Sequence, residues 1–313
     1  MHLLLNVPGE VAADWRRLFE SALPAAVIEV REPGAAVNRA ASPADYAVMY
    51  GPCATIFAEQ PALKAVFALS AGIAYLLAFP DVPRGTPLIR LEDAGMAEQM
   101  VRYVQAAALR IVLGLDTYAR QQGEARWEQQ AARPPSSLKA GVMGLGVIGG
   151  QVARALADMG FQMRGFAQAP RNLRGVEVFA GAAELDAFLS GLDLVVSVLP
   201  ATAATKGILN RNSMARLADG AHIVNIGRGT ALVEEDLVAL LAAGKLSGAT
   251  LDVFREEPLP PDHPFWRCPG IVVTPHVSGL TVPEAAVAQV AGKIAQLERG
   301  ERVSGIVAFE KGY

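Results

Sequence analysis

The sequence predicts the α/β class, with two doubly wound parallel sheets carrying helices on their faces. Three observations predict it. Apolar strand-like runs alternate with helix-like runs along the chain. Residues 139–171 read as strand, glycine turn, helix, strand. Finally, 313 residues, 52% hydrophobic and 19% charged, are enough for two domains with their own cores.

In the first segment, residues 3–7 read as a strand, 11–23 as a helix and 26–30 as a second strand. Residues 46–50 (YAVMY) and 66–69 are further strands, the latter reached through a helical 56–64. Strands separated by helices imply a parallel sheet, and ligands meet such sheets at the turns beyond the strands' carboxyl ends. Tyr50-Gly51 and Ser70-Ala71-Gly72-Ile73 are two such turns, which pattern alone would read as ordinary loops. Residues 96–120 carry one long helical pattern, with Met100, Val104, Ala107, Leu109, Ile111 and Leu115 among its apolar positions. It is either an interdomain bridge or a partner-facing helix. Pro134-Pro135-Ser136-Ser137 reads as a linker.

The glycine unit follows. Val142 and Met143 close an apolar run, and Gly144-Leu145-Gly146-Val147-Ile148-Gly149 comes at once. Val152, Ala153, Leu156, Ala157 and Met159 then recur at helical spacing before a strand over 161–167. That order is a Rossmann-type βαβ unit, built to hold a dinucleotide. Gly144 permits the tight turn, Gly146 lets the backbone approach a pyrophosphate, and Gly149 lets the helix pack on the strand. The helix start at Val147 and Ile148 offers free N–H groups to the phosphates. Val178 and a helical 182–189 lead to 193–199, a near-continuous apolar strand that stops at Pro200. A helix through 213–217 precedes a buried strand over 221–226, which ends in Gly227-Arg228-Gly229. A helix over 234–243, strands at 249–254 and 271–274, and an amphipathic helix over 284–300 close the chain.

Composition excludes several classes. The net charge is −3, from 28 Lys+Arg against 31 Asp+Glu, which argues against nucleic acid or a membrane surface as partner. Cys53 and Cys268, without a CxxC pairing, offer neither a disulfide framework nor a metal site. MHLLLNVPGEVAADW lacks the basic and long apolar regions of a secretion signal, and no apolar run approaches the roughly 18 residues of a membrane span. A cytoplasmic protein is expected.

Three polar residues stand just beyond expected strand ends: Arg228, Glu257 and His276. Of the four histidines, His2 is near the terminus, His263 lies in a proline-rich loop and reads as surface, and His222 opens a buried strand. His276, after Thr274-Pro275, is the best placed. The three residue types suit the reduction of a 2-oxo acid. Arginine grips a carboxylate through two parallel N–H bonds. Histidine gives a proton near neutral pH, and a neighbouring carboxylate orients an imidazole and favours its charged form. A loop salt bridge, a solvated acid and a satisfied loop histidine are the bland alternatives.

At these residues the chain resembles the D-isomer-specific 2-hydroxyacid dehydrogenases, in particular the glyoxylate/hydroxypyruvate reductase A branch. The resemblance lies in RLEDAGMAEQMVRYV (90–104), GLGVIG (144–149), VSVLPATAATKGILN (196–210), VNIGRGTALVEEDLVAL (224–240), GATLDVFREEPLP (248–260) and PFWRCPGIVVTPHVS (264–278). It implies that Arg228 holds the substrate carboxylate, His276 protonates the carbonyl oxygen and Glu257 partners His276, with hydride reaching C2 from the cofactor. It further implies cofactor contacts at the glycine turn (Gly144, Gly146, Val147, Ile148, Gly149), Leu199, Pro200, Thr205 and Ile226. Asp252 would receive the nicotinamide carboxamide. Ala71, Gly72 and Ile73 match a loop whose amides bind the substrate carboxylate. Tyr50 stands where the branch has a tryptophan, and Trp266 matches an aromatic near the pocket. The implied architecture is a discontinuous, flavodoxin-like substrate domain (1–94 plus 285–313), a Rossmann cofactor domain (95–284) and a homodimer paired through the cofactor domains.

Two departures stand out. NAD enzymes of the family carry an acid after the second strand, where this chain reads Gly165-Phe166-Ala167-Gln168-Ala169-Pro170-Arg171. Without the acid, which would repel a 2′-phosphate, NADP(H) is preferred, with NAD(H) as the alternative. Gln168 replaces an arginine of the branch, which leaves Arg171 and Arg174 as phosphate partners. Ala74 replaces an aspartate. The expected activity is NADPH-dependent reduction of glyoxylate and hydroxypyruvate. The alternatives are a dehydrogenase for another 2-oxo acid, or a cofactor-sensing, corepressor-like binding protein.

Overall fold

A computed structural model of the chain describes residues 1–32, 43–50, 60–73, 76 and 85–309. Two compact units are present, Met1–Gly95 with Thr281–Tyr313, and Met96–Leu280.

The first unit is built on five parallel strands: β1 (His2–Asn6), β2 (Val27–Arg31), β3 (Tyr46–Met49), β4 (Ala65–Ala68) and β5 (Leu88–Ile89). Their spatial order is β2-β1-β3-β4-β5, the flavodoxin-like arrangement. β3 and β4 are buried at every position, as expected of strands covered on both faces. Helix α1 (Gly9–Ala22) buries Trp15 and Phe19. β5 escaped the sequence reading because two residues carry no periodicity. Residues 60–64 correct that reading: they form a turn at Pro61-Ala62 where the end of a helix was expected. Proline lacks an N–H and biases the preceding residue away from helical geometry. The rest of that expected helix, 56–59, lies outside the described residues, as do Gly51, Cys53 and Ala74.

The second unit opens with a correction too. The long helical pattern is two helices, α2 (Met96–Val112) and α3 (Leu115–Gly123). Gly114, at φ 64°, takes the left-handed conformation that stops one and starts the other. Seven parallel strands follow: β6 (Lys139–Met143), β7 (Gln162–Ala167), β8 (Val176–Ala180), β9 (Leu194–Ser197), β10 (Ala221–Asn225), β11 (Leu246–Leu251) and β12 (Ile271–Val273). Their order is β12-β11-β10-β9-β6-β7-β8, so the sheet is wound both ways from β6 and β9. This is the Rossmann order with an added strand, and its ligand crevice lies beyond the carboxyl ends of β6 and β9. β9 and β10 are fully buried, with Phe188, Leu192, Leu237 and Leu251 packed into the same core. Helix α4 (Val147–Asp158) packs on β6 and β7. Helix α5 (Leu185–Leu189), helix α6 (Arg211–Met214) and helix α7 (Glu234–Ala242) are shorter than expected or shifted by a few residues. In the first unit, the closing helix α8 (Pro283–Glu298) packs on α1. Among the described residues, no helix is long and apolar enough to cross a membrane.

Candidate active site

The glycine turn sits between β6 and α4, at the switch point of the seven-stranded sheet. Its glycines differ in what a side chain would meet. A Cβ on Gly149 would fall 1.8 Å from the Gly144 carbonyl oxygen, so only glycine lets α4 start against the strand. A Cβ on Gly146 would meet no protein atom within 4 Å: it points into open space. Gly144 is left-handed, at φ 93°. No side chain caps α4, so the N–H groups of its first turn, at Val147 and Ile148, face outward without a protein cap. An open cradle beside an uncapped, positively polarised helix end fits a pyrophosphate.

The neighbouring turns complete this side. Leu199 and Ile226 are buried, and Pro200 is half-buried. The Thr205 hydroxyl donates to the Pro200 carbonyl at 2.5 Å and accepts from Thr202 N at 3.0 Å, so it holds the 200–205 turn in shape. Gln168 is exposed after β7. The Arg171 guanidinium donates to the Leu145 carbonyl of the glycine turn, which places a cation beside that turn with no acid after β7.

Arg228 follows β10 in an extended conformation. One of its guanidinium N–H groups donates to the Gly227 carbonyl at 2.6 Å, the only hydrogen bond that the guanidinium makes among the described residues. Burial lowers the guanidinium's pKa from its usual range, and the nearby Glu257 opposes that shift. Arginine stays charged, so Arg228 is a partly desolvated cation with donors to spare. Gly229 permits the turn: a Cβ there would lie 1.9 Å from the Phe254 carbonyl carbon. The backbone after Arg228 therefore lies directly against the segment that carries Glu257.

Glu257 Oε1 accepts from Phe254 N at 2.9 Å, and Oε2 lies 2.7 Å from His276 Nδ1. A carboxylate accepts only, so Nδ1 carries the proton that it receives, and Nε2 is the ring nitrogen left for another partner. Both side chains keep access to solvent, at 47% for His276 and 35% for Glu257. His276 has φ 55°, a left-handed conformation that costs a non-glycine residue about 1–3 kcal/mol and clusters at functional sites. The turn around it is tied to Asp252, which is fully buried. Asp252 accepts from Thr274 Oγ1, Val277 N and Ser278 N at 2.6, 2.8 and 2.9 Å.

Three supports escaped the sequence reading. Glu234, buried at the start of α7, accepts from Arg255 N at 3.1 Å and Arg255 Nε at 2.7 Å, which braces the segment leading to Glu257. His263 is partly buried, not a surface residue: it accepts from Phe265 N and lies 3.5 Å from Glu234. Its ring also packs edge-on against Phe265. Tyr103 lies 2.7 Å from Thr274 Oγ1. An acid opening a helix and an arginine two places before Glu257 were visible signals; the 171-residue separation of Tyr103 from Thr274 left none. His222 is a core histidine as expected, 3.0 Å from Thr250 Oγ1.

Within the first unit, the N–H groups of Ala71, Gly72 and Ile73 donate to no acceptor among the described residues, while Ser70 Oγ holds the loop by donating to Gly72 O at 2.7 Å. Tyr50 is 42% exposed, with its ring tilted against Trp15. In the second unit, Trp266 is half exposed and donates through Nε1 to Pro260 O at 2.8 Å. No cluster of metal-ligating side chains occurs among the described residues.

The family described as D-isomer specific 2-hydroxyacid dehydrogenase, NAD binding domain, matches residues 105–278. A protein of Serratia proteamaculans (strain 568), named glyoxylate/hydroxypyruvate reductase A, is 40% identical over 318 aligned positions, spanning 100% of both chains. Two solved structures are similar over their whole length. One is a D-isomer specific 2-hydroxyacid dehydrogenase from Xanthobacter autotrophicus Py2 in complex with NADPH and MES, at 35% identity and a TM-score of 0.92, covering 100% of this chain and 99% of that one. The other is an NADPH-dependent glyoxylate/hydroxypyruvate reductase from Sinorhizobium meliloti in complex with NADP and sulfate, at 32% identity and a TM-score of 0.91, covering 100% of each chain.

Proposed function

We infer the activity from one premise: the chain belongs to the D-isomer specific 2-hydroxyacid dehydrogenase family. The protein reduces small 2-oxo acids, glyoxylate and hydroxypyruvate foremost, to 2-hydroxy acids at the expense of NADPH. The observation that carries this reading is the juxtaposition in one unit of Arg228, with donors to spare, and an imidazole whose Nδ1 is held by Glu257.

Arg228 receives the substrate carboxylate. In the first unit, the amides of Ala71, Gly72 and Ile73, which donate to no acceptor among the described residues, are suited to bind a carboxylate in their own right. Each unit presents one aromatic side chain suited to substrate contact, Tyr50 in the first and Trp266 in the second. His276, protonated on both ring nitrogens, gives its Nε2 proton to the carbonyl oxygen as that oxygen gains charge. Glu257 keeps Nδ1–H engaged throughout, so the ring stays oriented and the cation stays paired. When bound, the reduced nicotinamide supplies the hydride that adds to C2. Proton and hydride together convert the C2 carbonyl to a hydroxyl, and His276 is left neutral.

Gly144, Gly146, Val147, Ile148 and Gly149 would hold the pyrophosphate, with the turns at Leu199, Pro200, Thr205 and Ile226 alongside. Among the described residues Asp252 Oδ2 accepts one donor, Ser278 N, and it is the oxygen left for the carboxamide. Arg171, with Gln168 and Arg174 nearby in sequence, favours a 2′-phosphate over a bare ribose. NADPH is therefore the working cofactor and NADH the poorer one. Residues 1–94 with 285–313 serve as the substrate domain and 95–284 as the cofactor domain. We place the enzyme in the cytoplasm as a homodimer paired through the cofactor units. Exposed Leu109, Leu113, Leu115, Tyr118 and Trp127 support that pairing. Initial rates for glyoxylate, hydroxypyruvate and pyruvate, each with NADPH and NADH, test the reading. It predicts the highest kcat/KM for one of the first two with NADPH; absence of NADPH oxidation with all three would refute it.

A further inference from the structure

Tyr103 lies on α2, far along the chain from His276, yet a continuous set of hydrogen bonds joins them. Asp252 takes three of its bonds from residues 274–278, and His276 N donates to the Asp252 carbonyl at 3.0 Å. A carboxylate only accepts, so the Thr274 hydroxyl is committed as donor to Asp252. Its lone pairs are left for one further partner, Tyr103 Oη at 2.7 Å. Tyr103 must therefore donate, and the direction is fixed from Tyr103 to Thr274 to Asp252. Burial raises the phenol's pKa and Asp252 adds to that, against the hydrogen bond to Thr274, so the hydroxyl keeps the proton it donates.

The same helix clasps the segment at two more points. Gln99 Nε2 donates to Leu280 O at 2.8 Å, and Met100 Cγ lies 2.7 Å from where a Cβ on Gly279 would stand. Side-chain packing cannot hold the turn itself, since His276 and Val277 are both exposed. Hydrogen bonds do. We propose that Tyr103 and Thr274 are positioning residues for His276: a one-way hydrogen-bond chain from α2 fixes the Asp252 carboxylate, and through it the turn that presents the imidazole to Glu257 and the substrate. The proposal rests on the reading of His276 as the proton donor.

Four variants test it: Tyr103→Phe, Thr274→Val, the two combined, and Thr274→Ser. Amide hydrogen exchange over residues 275–280 is measured beside steady-state rates. Tyr103→Phe and Thr274→Val should each speed exchange there and lower kcat roughly tenfold, with the hydroxypyruvate KM changed less than about twofold. Thr274→Ser, which keeps the hydroxyl, should restore most of kcat. Because both groups act through one chain, the double variant should fall little below the worse single one. Wild-type exchange in both single variants, losses that multiply in the double variant, or a Thr274→Ser loss as deep as that of Thr274→Val would each overturn the proposal. A wild-type protein inert toward 2-oxo acids would instead strike at the reading of His276, and the exchange comparison would still decide the positioning role.

Discussion

In the proposed reaction His276 is the proton donor: Glu257 backs its Nδ1, and its Nε2 has no hydrogen-bond partner among the described residues. His276→Ala should lower kcat by roughly 10²–10⁴, the usual contribution of a positioned general acid. NADPH affinity, followed by fluorescence titration, should stay within about twofold; wild-type turnover would show that the proton comes from elsewhere. Arg228→Lys keeps the charge and loses the planar fork. About 1.5–3 kcal/mol of charge-assisted hydrogen bonding is at stake, so kcat/KM should fall roughly ten- to a hundredfold, mostly through KM. Equal loss in kcat at unchanged KM would contradict a role in capture. At this scale the sequence was legible where function sits in a short local pattern. Gly227-Arg228-Gly229 and Thr274-Pro275-His276 both end apolar runs, which marks them as strand-end turns. Glu234 left a signal as an acid opening a helix, but its bond to Arg255, like the partners of His263 and Tyr103, is supplied only by tertiary packing.

The βαβ unit was legible for the opposite reason. Its strand, turn and helix are contiguous, and the period of its apolar residues changes at the glycines. Two of those glycines yield opposite expectations. Gly149→Ala would drive a Cβ to 1.8 Å from the Gly144 carbonyl oxygen, so the turn must distort, and the melting temperature should fall. Gly146→Ala meets no protein atom within 4 Å and should leave the melting temperature nearly unchanged while weakening NADPH binding. If Gly146→Ala bound NADPH normally, the open space at that position would not be the pyrophosphate site. Strands without length or periodicity were harder to read. β5 has two residues, and only Val178 marked β8. The 96–120 pattern looked continuous because a single glycine inside a helical period is tolerated; only the left-handed φ of Gly114 reveals the break.

For the whole molecule, burial sets both stability and its pH dependence. His222 is 2% exposed between β9 and β11, and burial lowers its pKa to about 4, with Arg110 in the same sense and Asp116 opposing. The folded state therefore excludes a proton that the unfolded chain takes up below the ordinary value of 6.5. Its contribution is fully present above that value and is lost as pH falls toward 4, by about 3 kcal/mol at most. His222→Asn should shrink the difference in urea stability between pH 7 and pH 4.5; an unchanged difference would assign the acid loss to other groups. Light scattering should find twice the 32.9 kDa chain mass, and a monomer at micromolar concentration would remove the pairing role from the exposed apolar residues of α2, α3 and the segment after them. The parallel order of both sheets followed from alternation alone, whereas the Rossmann and flavodoxin-like strand orders required the structure, since alternation does not say which way each crossover turns. The isotopic content of the product tests hydride transfer to a 2-oxo acid most directly. From hydroxypyruvate and NADPH deuterated at the transferring position of C4, the protein should yield D-glycerate carrying one deuterium at C2; unlabelled glycerate, or none, would contradict it.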